Sequence, residues 1–370
     1  MAKTQLKNLV FHIQKRFFTS TPTPPSSSST VEFLKNSCGL SLKSAISVTQ
    51  RLHLEEKNQK NIQSVLEILK AHSFTDTQLT KLIEKRPEIL LSKVKENIQP
   101  KLEYLENQGF AGKLLPELIL LNPVILRRAL DSHIKPSFEF LKSVLGSNGS
   151  VVASVKRSSW LLTFNVKGVM LPNIEFLEKG GVPALHIERL LRLQPRAIMQ
   201  KHDRVVQAFN SVKEKGVEPK SPMFVHAIRV MLSMSDVTWK NKIEVMKSLG
   251  WNYEDIIGAF ARHPLCLACS EKKLRNAMDF YLNTMKLEPK VVISYPRFLM
   301  YAIETRLRPR YNVLKALESK NLIKGHKKIE WLLTLNEKAF LQRYVMKYAD
   351  EFPGMMEIYL AALEVKKIGA

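Results

Sequence analysis

Cysteine is scarce in this sequence, and so are the short motifs that mark most enzymes. Only three cysteines, Cys38, Cys266 and Cys269, occur among 370 residues. So few thiols cannot build a disulfide framework and are typical of a reducing compartment. The phosphate-binding motifs GxxxxGKS/T and GxGxxG are absent, as are GxSxG and HExxH. The carboxylates form no pair suited to acid–base catalysis, so we predict that the protein is not an enzyme.

The sequence also lacks a long apolar run. Its most hydrophobic stretch, residues 114–126, is interrupted by Pro116, Glu117, Asn122 and Pro123. A helix that crosses a bilayer needs about 20 mostly apolar residues. We therefore predict that the chain has no membrane-spanning segment.

Acidic residues are too few to balance the basic ones. Lys and Arg number 57 against 34 Asp and Glu, which gives a formal net charge of +23. Such an excess destabilises a compact chain through self-repulsion and favours a polyanionic partner. Nucleic acid is the first candidate, because its phosphates release counterions when Lys and Arg bind them. An anionic membrane surface is the second candidate.

The first 30 residues have the composition of a targeting segment. They contain Lys3, Lys7, Lys15 and Arg16 and no acidic residue, and residues 19–30 are all Ser, Thr or Pro. A basic amphipathic helix followed by a hydroxyl-rich linker is typical of an organelle transit peptide. We predict a mitochondrial transit peptide and linker over residues 1–30, with the chloroplast as the alternative destination. The folded domain is then predicted over residues 31–365.

Two submotifs repeat through the body of the chain at a spacing of 36 residues. The first reads apolar-x-Pro-x-apolar-x-aromatic-Leu and places its prolines at Pro100, Pro136 and Pro172. The second is an apolar helical set that ends at a proline and is followed by a short apolar cluster. Its turn positions are Pro87, Pro123, Ser159, Pro195, Pro264 and Pro296, with a degenerate copy near residues 227–232.

This pattern predicts an all-α fold made of tandem helical repeats. Apolar residues at i, i+3 and i+4 indicate helices with one buried stripe, and a proline ends a helix near its own position. No stretch alternates apolar and polar residues as a strand would. Repeats of about 32–36 residues bury a continuous core by stacking, so we predict a curved α-solenoid of unspecified handedness with a concave surface.

Several runs resemble the mitochondrial transcription termination factor (mTERF) family, in particular its plant branch. The resemblance covers roughly residues 35–360 and is most specific near Arg306. The matching runs are residues 87–90, 123–126, 224–227, 239–242, 249–251, 259–264, 306–314, 337–340 and 345–348. The resemblance implies a solenoid that binds double-stranded DNA or structured RNA in a basic groove. It also implies a role in organellar transcription termination, transcription regulation or intron splicing.

Arginines beside the repeat turns of the later units are the candidate nucleic-acid ligands, because a guanidinium is always charged and suits phosphate. They are Arg192, Arg196, Arg229, Arg262, Arg297, Arg308 and Arg310. For Arg306, Arg308 and Arg310, pairing with nearby carboxylates is the alternative. The tryptophans fall mostly at repeat-core spacing, so we expect Trp160, Trp239, Trp251 and Trp331 to pack in the core, with stacking on bases as the alternative.

No cofactor or metal site is predicted. Cys266 and Cys269 with His263 offer three metal ligands, whereas a structural zinc site takes four. The two cysteines occupy an apolar slot of the repeat, so we expect buried thiols. We expect a monomer with nucleic acid as its partner and organellar proteins as further partners. A scaffold that binds a protein, or a protein that attaches to a membrane surface, remains the alternative.

Overall fold

The fold was analysed in a computed structural model, which describes residues 26–323 and 329–368. Within these ranges every regular element is helical and no β-strand occurs, so the predicted all-α repeat fold is confirmed. The chain divides into two compact units, Met1–Val166 and Lys167–Ala370. The predicted transit peptide lies outside the described residues except for its last five positions, where the first helix begins at Ser26.

Unit 1 consists of eight α-helices over the part that the structure describes. They are α1 (Ser26–Cys38), α2 (Leu42–Leu52), α3 (Gln59–Ala71), α4 (Asp76–Lys85), α5 (Gln99–Asn107), α6 (Leu114–Leu121), α7 (Lys135–Leu145) and α8 (Asn148–Arg157). Their apolar stripes form the core: Leu79, Leu82 and Ile83 of α4 are almost completely buried.

Unit 2 continues the same alternation of helices. Its described helices are α9 (Leu171–Lys179), α10 (Ala184–Leu193), α11 (Pro195–Ile198), α12 (His202–Glu214), α13 (Phe224–Ser233), α14 (Asp236–Ser248), α15 (Tyr253–Arg262), α16 (Glu271–Asp279), α17 (Pro289–Ser294), α18 (Arg308–Ser319), α19 (Ile329–Thr334), α20 (Glu337–Phe340) and α21 (Met355–Ile368). At the C-terminal end, α18, α20 and α21 enclose a cluster that includes Leu317, Phe340 and Tyr359.

A short helical turn follows the first helix of most repeats, and we call it the repeat turn. The repeat turns are the 3₁₀ segments Pro87–Leu91, Pro123–Arg127, Ser159–Leu162, Pro264–Ala268 and Pro296–Met300, together with α11. The residue before each turn leaves the helical region, as at Asn122 with φ −141° and ψ 78°. A proline disfavours the helical conformation of its predecessor, which explains why the preceding helices end where predicted.

The prolines of the other submotif lie at the second residue of an α-helix that a π-turn precedes. Val94–Ile98 leads into α5, and Ile303–Leu307 leads into α18. Proline has no N–H and its ring clashes with the carbonyl four residues earlier. The helical turn therefore contains one extra residue, and the N–H of Gln99 donates to the carbonyl of Val94. This widened turn accounts both for the kink in the helical path and for the start of the α-helix at the residue before the proline.

Ser270 and Ser92 both precede helical segments, but only Ser270 caps one. The side chain of Ser270 accepts a hydrogen bond from the N–H of Lys273 at the start of α16. After Ser92 the next segment is the π-turn at Val94, which no side chain caps. The carbonyl of Ser92 accepts from Asn61 Nδ2 at 3.3 Å instead. At the other end of a helix, Gly250 adopts φ +88° just beyond α14, in the left-handed region that favours glycine.

Candidate nucleic-acid interface

Part of the positive charge of this chain joins successive repeats. A side chain near the start of a repeat's second helix donates to backbone carbonyls at the C-terminal end of the next repeat's first helix or turn. In unit 1, Asn61 Nδ2 lies 2.8 Å from the carbonyl of Leu90, and Lys101 Nζ lies 2.7 Å from that of Leu126. Such carbonyls have no partner within their own helix. We call each of these donors a carbonyl clamp.

Unit 2 repeats the arrangement with further donors. The clamps are Asn173 to Ile198 at 2.8 Å, Arg204 to Leu232 at 3.1 Å, Lys242 to Cys269, Lys273 to Met300 at 2.6 Å, and Arg310 to Leu335 at 2.7 Å. Asn173, Arg204, Lys273 and Arg310 are each the third residue of their helix, as Asn61 and Lys101 are. A cation in this position uses hydrogen-bonding capacity within the fold, most completely at Lys101 and Arg310, which are buried.

Arg310 is therefore placed differently from the prediction. Its side chain is completely buried and donates to the carbonyls of Leu332, Leu333 and Leu335 and to Glu337. A guanidinium without exposed surface cannot reach a phosphate. The sequence contained a signal for this, because Arg310 follows the helix proline as Lys101, Ser137 and Asn173 do, and all four side chains are buried.

Arg308 is half-buried and already holds a carboxylate. Its Nε and Nη2 atoms donate to the two oxygens of Glu304 at 2.7 and 3.0 Å, and its guanidinium lies over the ring of Phe280. The hydrogen bond between them raises the pKa of Arg308 and lowers that of Glu304. The sequence alternative of carboxylate pairing therefore applies to Arg308 and to Arg310, whereas Arg306 donates to the carbonyls of Leu333 and Leu335.

The arginines of the α10–α11 region are the most accessible of the predicted set. Arg192 is exposed and makes a loose ion pair with Glu188 at 3.4 Å. Arg196 is exposed, and its guanidinium forms no hydrogen bond or ion pair within the described ranges. Arg189, which the sequence interpretation missed, is also exposed on α10. It lies three residues before Arg192, so the two share one side of the helix.

Arg189 and Arg229 meet around His226, and we call these three residues the first basic cluster. Burial lowers the pKa of His226, and the positive charges of Arg189 and Arg229 lower it further. Arg229 Nε donates to Gln194 Oε1 at 3.0 Å, which fixes its guanidinium beside the repeat turn. No carboxylate contributes to the pKa shift of His226.

The second basic cluster consists of Arg262, His263 and Arg297. Burial lowers the pKa of His263, and Arg297 and Arg262 add to the effect in that order. Arg262 donates one hydrogen bond to the carbonyl of Ile293 at 3.0 Å. Arg297 Nε is buried without a hydrogen-bond partner among the described residues. The observation that suits an anion is the pairing of two guanidinium groups beside a half-buried histidine, with no carboxylate contributing to the pKa shift of that histidine.

The tryptophans divide into different environments. Trp251 is buried, and Trp239 packs edge-to-face on Phe260 with ring centroids 5.2 Å apart. The expected core position of Trp160 is wrong, because 46% of this residue is exposed. The side chain of Trp331 lies outside the described part of the chain.

The two neighbouring cysteines lie in and beside the repeat turn at Pro264. Burial raises the pKa of Cys266 to about 12 and also raises that of Cys269, so both thiols are protonated at neutral pH. Cys266 is buried, and Cys269 Sγ lies 3.6 Å from the carbonyl of Leu299. Over the ranges that the structure describes, His, Cys, Asp and Glu form no group of three that could hold a metal ion.

The helices of the described ranges are all too short or too polar to cross a bilayer.

The remaining test of the repeat assignment is comparison with known proteins. The mTERF family profile matches residues 66–220 and again residues 187–341, which together span more than half of the chain. A curated relative, the chloroplastic transcription termination factor MTERF8 of Arabidopsis thaliana, is 22% identical over 169 residues. The match covers 46% of this chain and 33% of that protein, so the chain spans about a third of its relative's length.

Proposed function

This chain belongs to the mTERF family, and from that premise we propose that it binds double-stranded DNA or structured RNA and regulates gene expression in an organelle. It does so without catalysis, by holding nucleic acid on basic side chains. Transcription termination, transcription regulation and intron splicing are the roles that this binding serves. The relative in Arabidopsis thaliana is a transcription termination factor, which supports the first of these.

The observation that carries the proposal is the pair of basic clusters in unit 2. In each cluster two arginines surround a half-buried histidine, and no carboxylate contributes to that histidine's pKa shift. The two arginines of a cluster repel each other. A bound phosphate offsets this repulsion, because the phosphate accepts charge-assisted hydrogen bonds from both guanidinium groups. Contacts to phosphate give affinity and position without sequence readout.

The proposed ligand residues are a revision of the set predicted from sequence. Arg196, Arg229, Arg262 and Arg297 stay in it, and Arg189 joins them. Arg192 contributes from the edge because Glu188 partly neutralises it. Arg308 and Arg310 leave the set, since their guanidinium groups are held by Glu304 and by the clamp.

The test compares two variants of the full chain that each lose four positive charges. The first carries Arg189→Gln, Arg196→Gln, Arg262→Gln and Arg297→Gln. The matched control carries Arg51→Gln, Lys247→Gln, Arg275→Gln and Arg308→Gln, all of which form surface ion pairs with carboxylates. Fluorescence anisotropy with a labelled duplex DNA and a structured RNA measures affinity from about 50 to 200 mM salt.

We expect the first variant to lose about three units from the slope of log affinity against log salt, since each lost phosphate contact removes about 0.9. The control keeps nearly the whole slope. Equal losses in both variants would mean that net charge alone attracts nucleic acid and that the clusters are not the site. Salt-insensitive binding or none in the unsubstituted chain would favour the protein scaffold, and binding to anionic vesicles that nucleic acid displaces would favour the membrane surface.

For the compartment, we propose the mitochondrion, with the chloroplast as the alternative. The acid-free segment over residues 1–30 supports an organelle in either case. The relative's name specifies a chloroplast, but only for that protein. Import of the full-length chain into isolated mitochondria and chloroplasts decides between the two. Crosslinking in the importing organelle, followed by sequencing of bound DNA and RNA, identifies the target class.

A further inference from the structure

Trp160 is the second residue of a repeat turn in unit 1, and its side chain points away from a turn that is otherwise buried. It is 46% exposed, while Ser158, Ser159, Leu161 and Leu162 are each at most 7% exposed. The exposure of the indole is therefore not the result of a loosely packed segment. Burial of an aromatic side chain of this size stabilises the folded state, and the exposed part of this indole does not contribute that stabilisation.

Hydrogen bonds hold the backbone of this turn in place. Asn122 is fully buried, and its Nδ2 donates to the carbonyl of Ser159 at 3.0 Å and to Thr163 Oγ1 at 2.9 Å. The N–H of Thr163 in turn donates to the carbonyl of Trp160 at 3.0 Å. The indole is thus presented from a fixed main chain, which lowers the entropy cost of binding.

The position of Trp160 within its repeat is also informative. The second residue of the repeat turn is Arg196 in α11 and Arg297 in the turn at Pro296. Both arginines belong to the proposed phosphate ligands of unit 2. Trp160 therefore occupies, within unit 1, the turn position that carries these two proposed ligands in unit 2, while the turn at Pro264 has Leu265 there.

The surroundings of Trp160 are basic. Residues 140–166 contain no Asp or Glu. Lys156 and Arg157, which end α8 just before the turn, are exposed and form no hydrogen bond or ion pair with the rest of the described chain. Arg127 and Arg128, at the end of the preceding repeat turn, are exposed as well. A flat aromatic surface among unpaired cations fits a nucleotide, whose base stacks on the ring while its phosphate meets the cations.

We propose that Trp160 stacks on an unpaired base and gives unit 1 a contact for single-stranded or looped nucleotides. A fully paired duplex hides the faces of its bases, so this contact selects ligands with at least one unpaired base. The inference rests on the proposed function and adds a ligand preference to it. Lys156 and Arg157 supply the phosphate contacts beside the stack.

The experiment measures the affinity of the full chain for two RNAs of equal length and charge. One is a fully paired duplex, and the other contains an unpaired loop. Trp160→Ala should weaken binding of the looped RNA about tenfold, the scale of one base–aromatic stack, and leave duplex affinity unchanged. Trp160→Phe should recover much of the loss, because phenylalanine still stacks. In the unsubstituted chain, looped RNA should quench tryptophan fluorescence, and this quenching should be missing in Trp160→Phe.

Each other result is distinguishable. An equal loss on both RNAs, or no loss on either, overturns the stacking proposal even when both bind in a salt-dependent way. In that case the proposed function survives, and the exposed indole is left as a surface for a protein. If the unsubstituted chain binds neither RNA nor duplex DNA, the proposed function itself fails. Lys156→Gln with Arg157→Gln should also weaken the looped RNA more than the duplex, because these two residues supply the phosphate contacts beside the stack.

Discussion

Arg310 donates a hydrogen bond from Nη2 to Oε2 of Glu337 at 2.8 Å, although the arginine side chain is fully buried and the glutamate side chain is 51% exposed. The ion pair thus spans from the core to the surface. Water screens the exposed carboxylate and weakens the ion pair. The buried guanidinium is therefore also stabilised by its hydrogen bonds to the backbone carbonyls at the end of α19. Arg310 joins α18 to the repeat that follows it.

We expect Arg310→Met to lower the free energy of unfolding by about 3 kcal/mol, because it removes the hydrogen bonds of a buried guanidinium to three carbonyls and its ion pair with Glu337. Urea unfolding followed by far-UV circular dichroism measures the change. Arg308→Met is the control and should cost below about 1 kcal/mol, since its ion pair with Glu304 is partly exposed. A similar small cost at Arg310 would contradict the clamp.

The clamp at Lys273 can be tested against its neighbour in sequence. Lys273 Nζ lies 2.6 Å from the carbonyl of Met300, whereas Lys272 is exposed on the same helix. Lys273→Met should destabilise the chain by about 1–2 kcal/mol, and Lys272→Met should have almost no effect. Because both variants lose one positive charge, a difference in their unfolding midpoints reports the hydrogen bond. Equal midpoints would show that this clamp does not contribute to stability.

Ser159→Pro should stabilise the protein by about 0.5–1 kcal/mol. Ser158, the residue before it, already adopts φ −147° and ψ 90°, close to the conformation of residues that precede a turn proline elsewhere. The backbone N–H of Ser159 makes no backbone hydrogen bond among the described residues, so proline removes only unfolded-state freedom. Ser158→Pro is the control and should destabilise, because the N–H of Ser158 bonds to Ser154 at 3.0 Å. Thermal denaturation distinguishes the two signs.

His226 and His263 should make stability depend on pH. Their pKa values lie below the ordinary 6.5 in the folded protein, chiefly through burial. Below pH 6.5 the unfolded chain binds protons that the folded chain does not, so the free energy of unfolding falls as pH falls from about 7 to 5.5. The slope is at most about 1.4 kcal/mol per pH unit for each histidine. Gln at both positions should flatten it, and an unchanged slope would contradict the cause.

The same histidines predict a pH dependence of nucleic-acid binding. A phosphate placed between the arginines of either cluster offsets the charges that lower the histidine pKa, so binding takes up protons. Affinity should therefore rise as pH falls from about 7.5 to 6, in the opposite direction to stability. Anisotropy titrations at constant salt measure it, and a pH-independent affinity would place the phosphate away from both histidines.

The helices and their ends could be predicted from the sequence because they depend on local properties. Apolar spacing fixes the buried stripe, and each turn proline ends the helix before it, so the spacing around Pro87 and Pro264 sufficed. The predicted ends were correct even at Ser159, where neighbouring repeats impose the same backbone path without the proline. The missing N–H of residues such as Pro100 accounts for the π-turns before α5 and α18, but not for those at Phe280–Thr284 and Leu341–Val345, where no proline follows.

The roles of the cations could not be predicted in the same way. A clamp joins a side chain to backbone carbonyls some 25–29 residues away, as Arg310 to Leu335 and Asn61 to Leu90. Every residue has a backbone carbonyl, so the residue type of the acceptor does not matter and the acceptor cannot be recognised in the sequence. Only alignment of the repeats indicates the buried position. The prediction for Trp160 was wrong for a different reason. Its spacing fits the repeat core, but its side chain is exposed at the turn.

Carbonyl clamps also determine where these repeats can be divided. A segment excised from one turn proline to the next takes its donor along but leaves behind the carbonyls that this donor served. A chimera joined at those prolines would therefore pair foreign donors with foreign acceptors at both junctions. Grafted or consensus-designed arrays of this architecture should instead be joined between a repeat turn and the second helix that follows it, so that each donor stays with the later turn to which it donates.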